Sequence, residues 1–201
     1  MRAFQLAAPR VPAVPWRMEE SECIVPAAGR SQRMGRWKPL LPFGHSTIIE
    51  TVVAAALSVC SRVILVTGYR GDELAALYRE EPRVLIVENE DWPLGMFSSI
   101  RRGVGSLSAE RFFVSLGDMP WIAPGVYTAL LRAPLADVVF PTFQGRRGHP
   151  VLFNKKVAAE VLRADPAVGS MRDIAAGFSF NELAWEDDTI LRDIDTMEDY
   201  T

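Results

Sequence analysis

Pro26-Ala-Ala-Gly-Arg-Ser-Gln-Arg-Met-Gly35, followed by Lys38, is the stretch on which the reading of this sequence turns. It comes directly after residues 22–26, a short apolar run of strand type, and ahead of Thr47-Ile-Ile-Glu50, a capping box that opens a helix through residue 58. In an open α/β sheet, the loop leaving the first strand lies at the carboxyl edge, where ligands bind. The small residues Ala27, Ala28 and Gly29 allow a ligand close to the backbone, so that successive N–H groups can cradle phosphate oxygens. Arg33 and Lys38 add a planar fork and a point charge suited to a triphosphate. The spacing matches neither GxGxxG nor GxxxxGK[ST], which excludes a dinucleotide fingerprint and a P-loop. Taken alone, a basic surface loop with glycines explains the stretch equally well.

Working outward, strand patterns fall at residues 62–68, 83–88, 111–117 and 137–142, with helical patterns at 71–80, 97–104 and 124–132. Beyond 142 the rhythm changes. A turn at 144–148 leads to a short strand at 150–153, then helices at 155–164 and 170–176. Strand-like runs at 182–185 and 190–194 and a turn at 197–200 close the chain. Alternation of this kind predicts a single Rossmann-like α/β domain over 21–201, a mostly parallel mixed sheet with helices on both faces. Residues 1–20, punctuated by Pro9, Pro12 and Pro15, read as a flexible N-terminal extension.

With 201 residues, 49% of them hydrophobic, the chain can bury a full core. A net charge of -3 argues against bulk binding to nucleic acid or an anionic membrane. The longest apolar run, 51–59, is too short to span a bilayer, and the N-terminus lacks the apolar core of a signal peptide. Cys23 and Cys60 form no metal pattern and read as buried thiols of a reducing compartment. The expected location is cytoplasmic.

Four further segments carry chemistry. Phe112-Phe-Val-Ser-Leu-Gly-Asp-Met-Pro120 ends an apolar strand in Asp118, at the same edge as the first loop. A carboxylate there suits Mg²⁺ shared with substrate phosphates, and an Asx turn before Pro120 is an equal alternative. In Leu191-Arg-Asp-Ile-Asp-Thr-Met-Glu-Asp199, Asp193 and Asp195 point to one side of the expected strand, and either could be a second metal ligand. Helix capping by Asp195 or Thr196 competes with that. Gly145-Arg-Arg-Gly-His-Pro150 is an anion-friendly turn in which His149 could meet an acceptor phosphate or be inert. Asn89-Glu-Asp-Trp-Pro-Leu-Gly-Met-Phe-Ser-Ser-Ile100 opens a helix near Ser98 and Ser99, whose free N–H groups again face the active edge.

In this order, the five segments resemble the MobA-like NTP transferase family, and within it the molybdenum cofactor cytidylyltransferase branch; the likeness runs over roughly residues 22–200. That resemblance implies a nucleotidyltransferase in which Ala27, Ala28, Gly29, Arg30, Ser31, Arg33 and Lys38, with Ser98, Ser99 and Asp118, bind the nucleotide. Arg33, Lys38 and Asp118 would be catalytic. Asp118 and Asp195 would hold Mg²⁺, and Arg146, Arg147, Gly148 and His149 would face the acceptor. Family members with Ala-Gly-Gly at the loop entrance are guanylyltransferases, so Ala27-Ala28-Gly29 implies CTP rather than GTP. The implied acceptor is a molybdopterin-type phosphorylated cofactor, with a molybdoenzyme as onward partner. Two positions depart from the family pattern. Pro26 stands where Leu is usual. Ala167-Val-Gly-Ser-Met-Arg172 lacks the acid of the usual Gly-Asp-x-Gly-Ala-Arg, which bears on the acceptor more than on the nucleotide. The alternatives are a maturation protein that binds the cofactor without chemistry, and a transferase using GTP or another acceptor.

Overall fold

The computed structural model describes residues 21–200, so the extension expected over 1–20 lies outside the described residues. β1 (Ser21–Pro26) leads through the loop to a small antiparallel hairpin, β2 (Pro42–Phe43) and β3 (Ser46–Thr47). There follow α1 (Ile48–Leu57), β4 (Arg62–Thr67), α2 (Gly71–Leu77), β5 (Val84–Glu88), α3 (Met96–Val104), β6 (Arg111–Val114) and α4 (Pro124–Arg132). The remainder comprises β7 (Val138–Phe143), β8 (Arg146–Arg147), β9 (Val151–Asn154), α5 (Lys156–Arg163), α6 (Met171–Ala175), β10 (Phe180–Ala184) and α7 (Met197–Tyr200).

The main sheet has the order β10-β7-β9-β6-β1-β4-β5, with β8 paired to β7. β1 runs parallel to β4 and β6, β4 to β5, and β7 to β10, while β9 is antiparallel to both of its neighbours. This is the mostly parallel mixed sheet that the alternation predicts. Along β1 and β4 successive side chains serve opposite layers. Cys23, Val25, Val63 and Leu65 pack with Ile49 and Val53 of α1 and Tyr127 of α4. Ile24, Ile64 and Val66 pack with Ile100 and Val104 of α3 and Val157 of α5. Burial on both faces is why these strands read as continuous apolar runs without polar alternation. Helix α1 starts where the capping box places it: Glu50 N donates to Thr47 Oγ1 at 3.3 Å, and Thr47 N donates back to Glu50 Oε2 at 3.0 Å.

Among the polar groups buried in this apolar frame is a carboxylate, Glu22. Glu22, at the foot of β1, accepts from Ser108 N (2.8 Å), Ser108 Oγ (2.7 Å) and Ala109 N (3.1 Å) and pairs with Arg62 at 2.6 Å. Burial pushes its carboxyl up, but the hydrogen bonds from Ser108 and Ala109 and the Arg62 charge outweigh it, leaving the group below its ordinary range. Cys23 and Cys60 are free, buried thiols. No helix among the described residues is long and apolar enough to cross a membrane.

The structure corrects the expected strand at 190–194. A short 3-10 helix, Asp188–Leu191, is followed there by extended chain that joins no sheet. Its two isoleucines are fully buried in different places, Ile190 in the main core and Ile194 with Met34, Leu41 and Ile48. Each is tied by one backbone bond rather than a ladder: His149 N donates to Ile190 O, and Ile194 N donates to Asp118 O, both at 2.9 Å.

Candidate active site

The loop after β1 is folded back on itself by its own side chains. Trp37 Nε1 donates to Gly29 O at 3.2 Å, and Lys38 N donates to Ser31 Oγ at 3.1 Å. Ser31 and Gly35 take left-handed backbone, with φ of 55° and 68°, which makes the reversal possible. Lys38 is thereby carried into the protein, with only 7% of its surface exposed. From the other side comes the turn after β6. A Cβ on Gly117 would lie 2.9 Å from Pro26 O, so only glycine lets this turn close on the end of β1 and set Asp118 opposite Lys38.

Lys38 Nζ lies 2.9 Å from Asp195 Oδ1 and 3.2 Å from Asp118 Oδ2, and Arg33 Nη1 reaches Asp195 Oδ2 at 2.6 Å. Asp193 completes the group: one carboxylate oxygen from each of Asp118, Asp193 and Asp195 lies within 4.8 Å of the others. Burial raises Asp193, and the charges of Asp195 and Asp118 raise it further. Burial also pushes Asp195 up, but its Lys38 hydrogen bond and the charges of Lys38 and Arg33 hold it below the usual carboxylate range. Three converging carboxylates are a hard-oxygen set of the kind that binds a divalent cation jointly with phosphate oxygens and water. The donor chemistry fits Mg²⁺ or Mn²⁺ and would disfavour a soft metal.

This cluster borders a cavity of about 460 Å³ walled by the 27–33 loop, by Gly117 and Asp118, and by the chain entering α3. Trp92, Met96 and Ser99 form that last wall, and the free N–H groups of the α3 N-terminus lie on the same side. Arg30 spans the rim, its guanidinium 4.8 Å from the Trp92 ring and 5.3 Å from that of Tyr69.

Of the residues expected at the site, Ala27, Ala28, Gly29, Arg30, Ser31, Arg33, Lys38, Ser99, Asp118 and Asp195 all line this cavity. Ser98 does not. It turns beneath the preceding loop, where its hydroxyl lies 2.8 Å from Gly95 O. Asn89, which carried no role in the sequence, organises that loop: its Nδ2 donates to the hydroxyls of Ser98 and Ser99 at 3.0 Å, and its Oδ1 accepts from Asp91 N at 3.1 Å. An Asn ending an apolar strand was the signal available. The 145–150 turn divides. Both arginines are exposed, but Arg147 pairs with Glu182 at 2.7 Å and lies over the rings of Phe140 and Phe180. Gly148 and His149 sit deeper, with His149 Nδ1 3.4 Å from Val114 O. Burial lowers the His149 pKa against the opposing pull of Val114 O and Asp193, favouring the neutral ring.

A parallel-strand edge that brings together a small-residue basic loop, a cavity of this size and a carboxylate cluster belongs to a nucleotidyltransferase. Residues 23–182 match the MobA-like NTP transferase domain, and the chain is a member of that family. It is 34% identical over 183 residues to the molybdenum cofactor cytidylyltransferase of Escherichia coli (strain K12), covering 91% of this chain and 95% of the relative. It is 28% identical to a probable molybdenum cofactor guanylyltransferase of Methanosarcina mazei, covering 86% and 80%. Among solved structures, a Mycobacterium tuberculosis H37Rv protein superposes with a TM-score of 0.77 at 26% identity, covering 90% of this chain and 96% of the other. That mycobacterial protein has also been solved as a manganese complex, with a TM-score of 0.73 at 25% identity.

Proposed function

We propose that this nucleotidyltransferase moves CMP from CTP onto the terminal phosphate of a molybdopterin-type acceptor, releasing pyrophosphate, with Mg²⁺ as the resident cation. The observation that carries the reading is the meeting of Lys38, Asp118 and Asp195 at the mouth of the cavity beside the 27–33 loop. Supporting CTP are Ala28, which lines the cavity beside Gly29, and the similarity to the E. coli cytidylyltransferase.

In the reaction an oxygen of the acceptor phosphate bonds to the α-phosphorus of CTP, the bond from that phosphorus to the bridging oxygen breaks, and pyrophosphate leaves. A phosphate monoester is largely ionised near neutral pH, so no strong general base is required. The barrier is electrostatic, because two anions must meet and charge then moves onto the leaving group. Mg²⁺ held by Asp118 and Asp195 would neutralise phosphate charge and polarise the α-phosphoryl oxygen. Arg33 and Lys38, engaged with carboxylates in the structure, exchange part of that pairing for triphosphate oxygens. Backbone N–H groups of residues 28–31 cradle the phosphates, while that of Ala27 is held by Val66 O at 2.8 Å, and Ser99 with the α3 N-terminus faces the nucleotide from the opposite wall. On the acceptor side, Arg146 and His149 of the 145–150 turn meet the incoming phosphate.

Thermal melting with CTP, GTP, ATP and UTP, each with Mg²⁺ or EDTA, tests the nucleotide half, since a ligand bound only by the folded state raises the Tm. The expected result is a Mg²⁺-dependent shift largest with CTP, followed by pyrophosphate release once acceptor is supplied. No shift with any nucleotide would favour a carrier of the molybdenum cofactor that performs no chemistry.

A further inference from the structure

Asp193 and Asp195 ride on chain without regular structure, between the Asp188–Leu191 turn and α7. Their place beside Asp118 is set by contacts made elsewhere on that segment. Ile190 and Ile194 anchor it in the core, and the bonds from His149 N to Ile190 O and from Ile194 N to Asp118 O pin it to the turn and to the β6 loop. The tightest point of this docking is Gly148. A Cβ there would stand 2.3 Å from Ile190 O, 2.9 Å from the Ile190 carbonyl carbon and 3.0 Å from the Ile190 Cβ. All three belong to the backbone or its first side-chain atom, so no flexible group can swing aside. Gly148 is not among the residues with left-handed backbone; the position needs room, not glycine's conformational freedom. Nor can the turn retreat freely, because Gly148 N donates to Pro141 O of β7 at 2.9 Å.

We propose that Gly148 is a positioning residue for the carboxylate cluster: its bare Cα lets segment 188–195 lie against the turn and so holds Asp193 and Asp195 within reach of Asp118. The inference rests on the cluster's being a divalent-cation site, as in the function proposed above. It gives Gly148 a role in metal binding that is separate from acceptor contact. A methyl at this position pushes the Ile190 carbonyl outward, and the shift passes along the extended chain to the two aspartates, while Asp118 stays on the turn after β6.

The experiment measures Mn²⁺ binding by the loss of the free-ion EPR signal, without nucleotide, for the wild type, Gly148→Ala and Asp195→Asn. Gly148→Ala is expected to bind Mn²⁺ about tenfold more weakly, in the range seen when the support of a metal ligand is lost. Its far-UV circular dichroism stays native, and CTP affinity at saturating Mn²⁺ is unchanged. Wild-type Mn²⁺ affinity in a folded Gly148→Ala protein would overturn the proposal. Should Asp195→Asn bind Mn²⁺ as the wild type does, the metal reading itself falls, and that outcome is separate from the Gly148 result. If Gly148→Ala does not fold, Ile190→Val decides. It loosens the anchor without touching the turn or the carboxylates, so several-fold weaker Mn²⁺ binding supports the proposal and unchanged binding overturns it.

Discussion

Lys38 Nζ lies 2.9 Å from Asp195 Oδ1, although 157 residues separate the two in the chain. This pairing joins the loop after the first strand to the C-terminal segment and places a buried ammonium among three carboxylates. Under the proposed function the one group has two tasks, neutralising the acidic cluster before nucleotide binds and meeting phosphate afterwards.

That double task makes the Lys38→Ala variant informative. Removing the ammonium leaves the carboxylates without their buried cation, at a cost of roughly 2 kcal/mol, below the range for fully buried pairs because Asp118 and Asp195 keep some exposure. In EDTA the Tm should fall by about 4–8 °C, and Mg²⁺ should restore part of it. The kcat should drop by about a hundredfold with a smaller change in CTP affinity. Loss confined to CTP binding would remove Lys38 from the transition state.

Asp118→Asn and Asp195→Asn should each abolish the response of pyrophosphate release to Mg²⁺, with kcat falling on the order of 10²-fold or more. A Mg²⁺ titration of each variant checks this. Unchanged dependence in either one would reject that residue as a ligand.

Ala28 lines the cavity wall, and under the proposed use of CTP its methyl would help tell a pyrimidine from a larger purine by space. Ala28→Gly deletes one methyl, and a difference of that size in an apolar pocket is worth roughly 10-fold or more in discrimination. The ratio of kcat/KM for GTP to that for CTP should rise by about that factor. A ratio that stays put would place base selection elsewhere on the cavity wall.

Glu22 contributes to acid sensitivity away from the site. Because its folded pKa is lowered, the stability it contributes is present above the unfolded carboxylate value and is lost as pH falls through the folded one. Glu22→Gln should cost about 2–4 kcal/mol at pH 7, since Arg62 and two backbone N–H groups lose their charged acceptor. Urea unfolding at pH 7 and at pH 3 would measure it. The gap between variant and wild type should shrink at the lower pH, and an equal gap at both would show that packing, not charge, sets the cost.

Much of the fold and half of the site were legible locally. Apolar runs of strand length and the Thr47–Glu50 capping box are short-range patterns whose physics acts within a few residues; the structure has the capping box where the sequence puts it, whereas the strand expected over 111–117 ends at Val114 and leaves Gly117-Asp118 on the turn beyond. The loop carrying Arg33 and Lys38 is of the same kind. The segment holding Asp193 and Asp195 was not. Alternating apolar and acidic residues look alike in a strand and in extended chain pinned at two points, and only the absence of a neighbouring strand separates them. Arg147 likewise reads as a free cation until β10 brings Glu182 and Phe180 beneath it.

What the sequence determined by itself was therefore the set of elements and the chemistry each one ends in, because propensity, capping and turn geometry are local. Which carboxylates meet, which arginine stays free, and where glycine is needed for room were decided by the tertiary structure. Those outcomes depend on distances between residues far apart in the chain, which packing fixes only when the two layers close on the sheet.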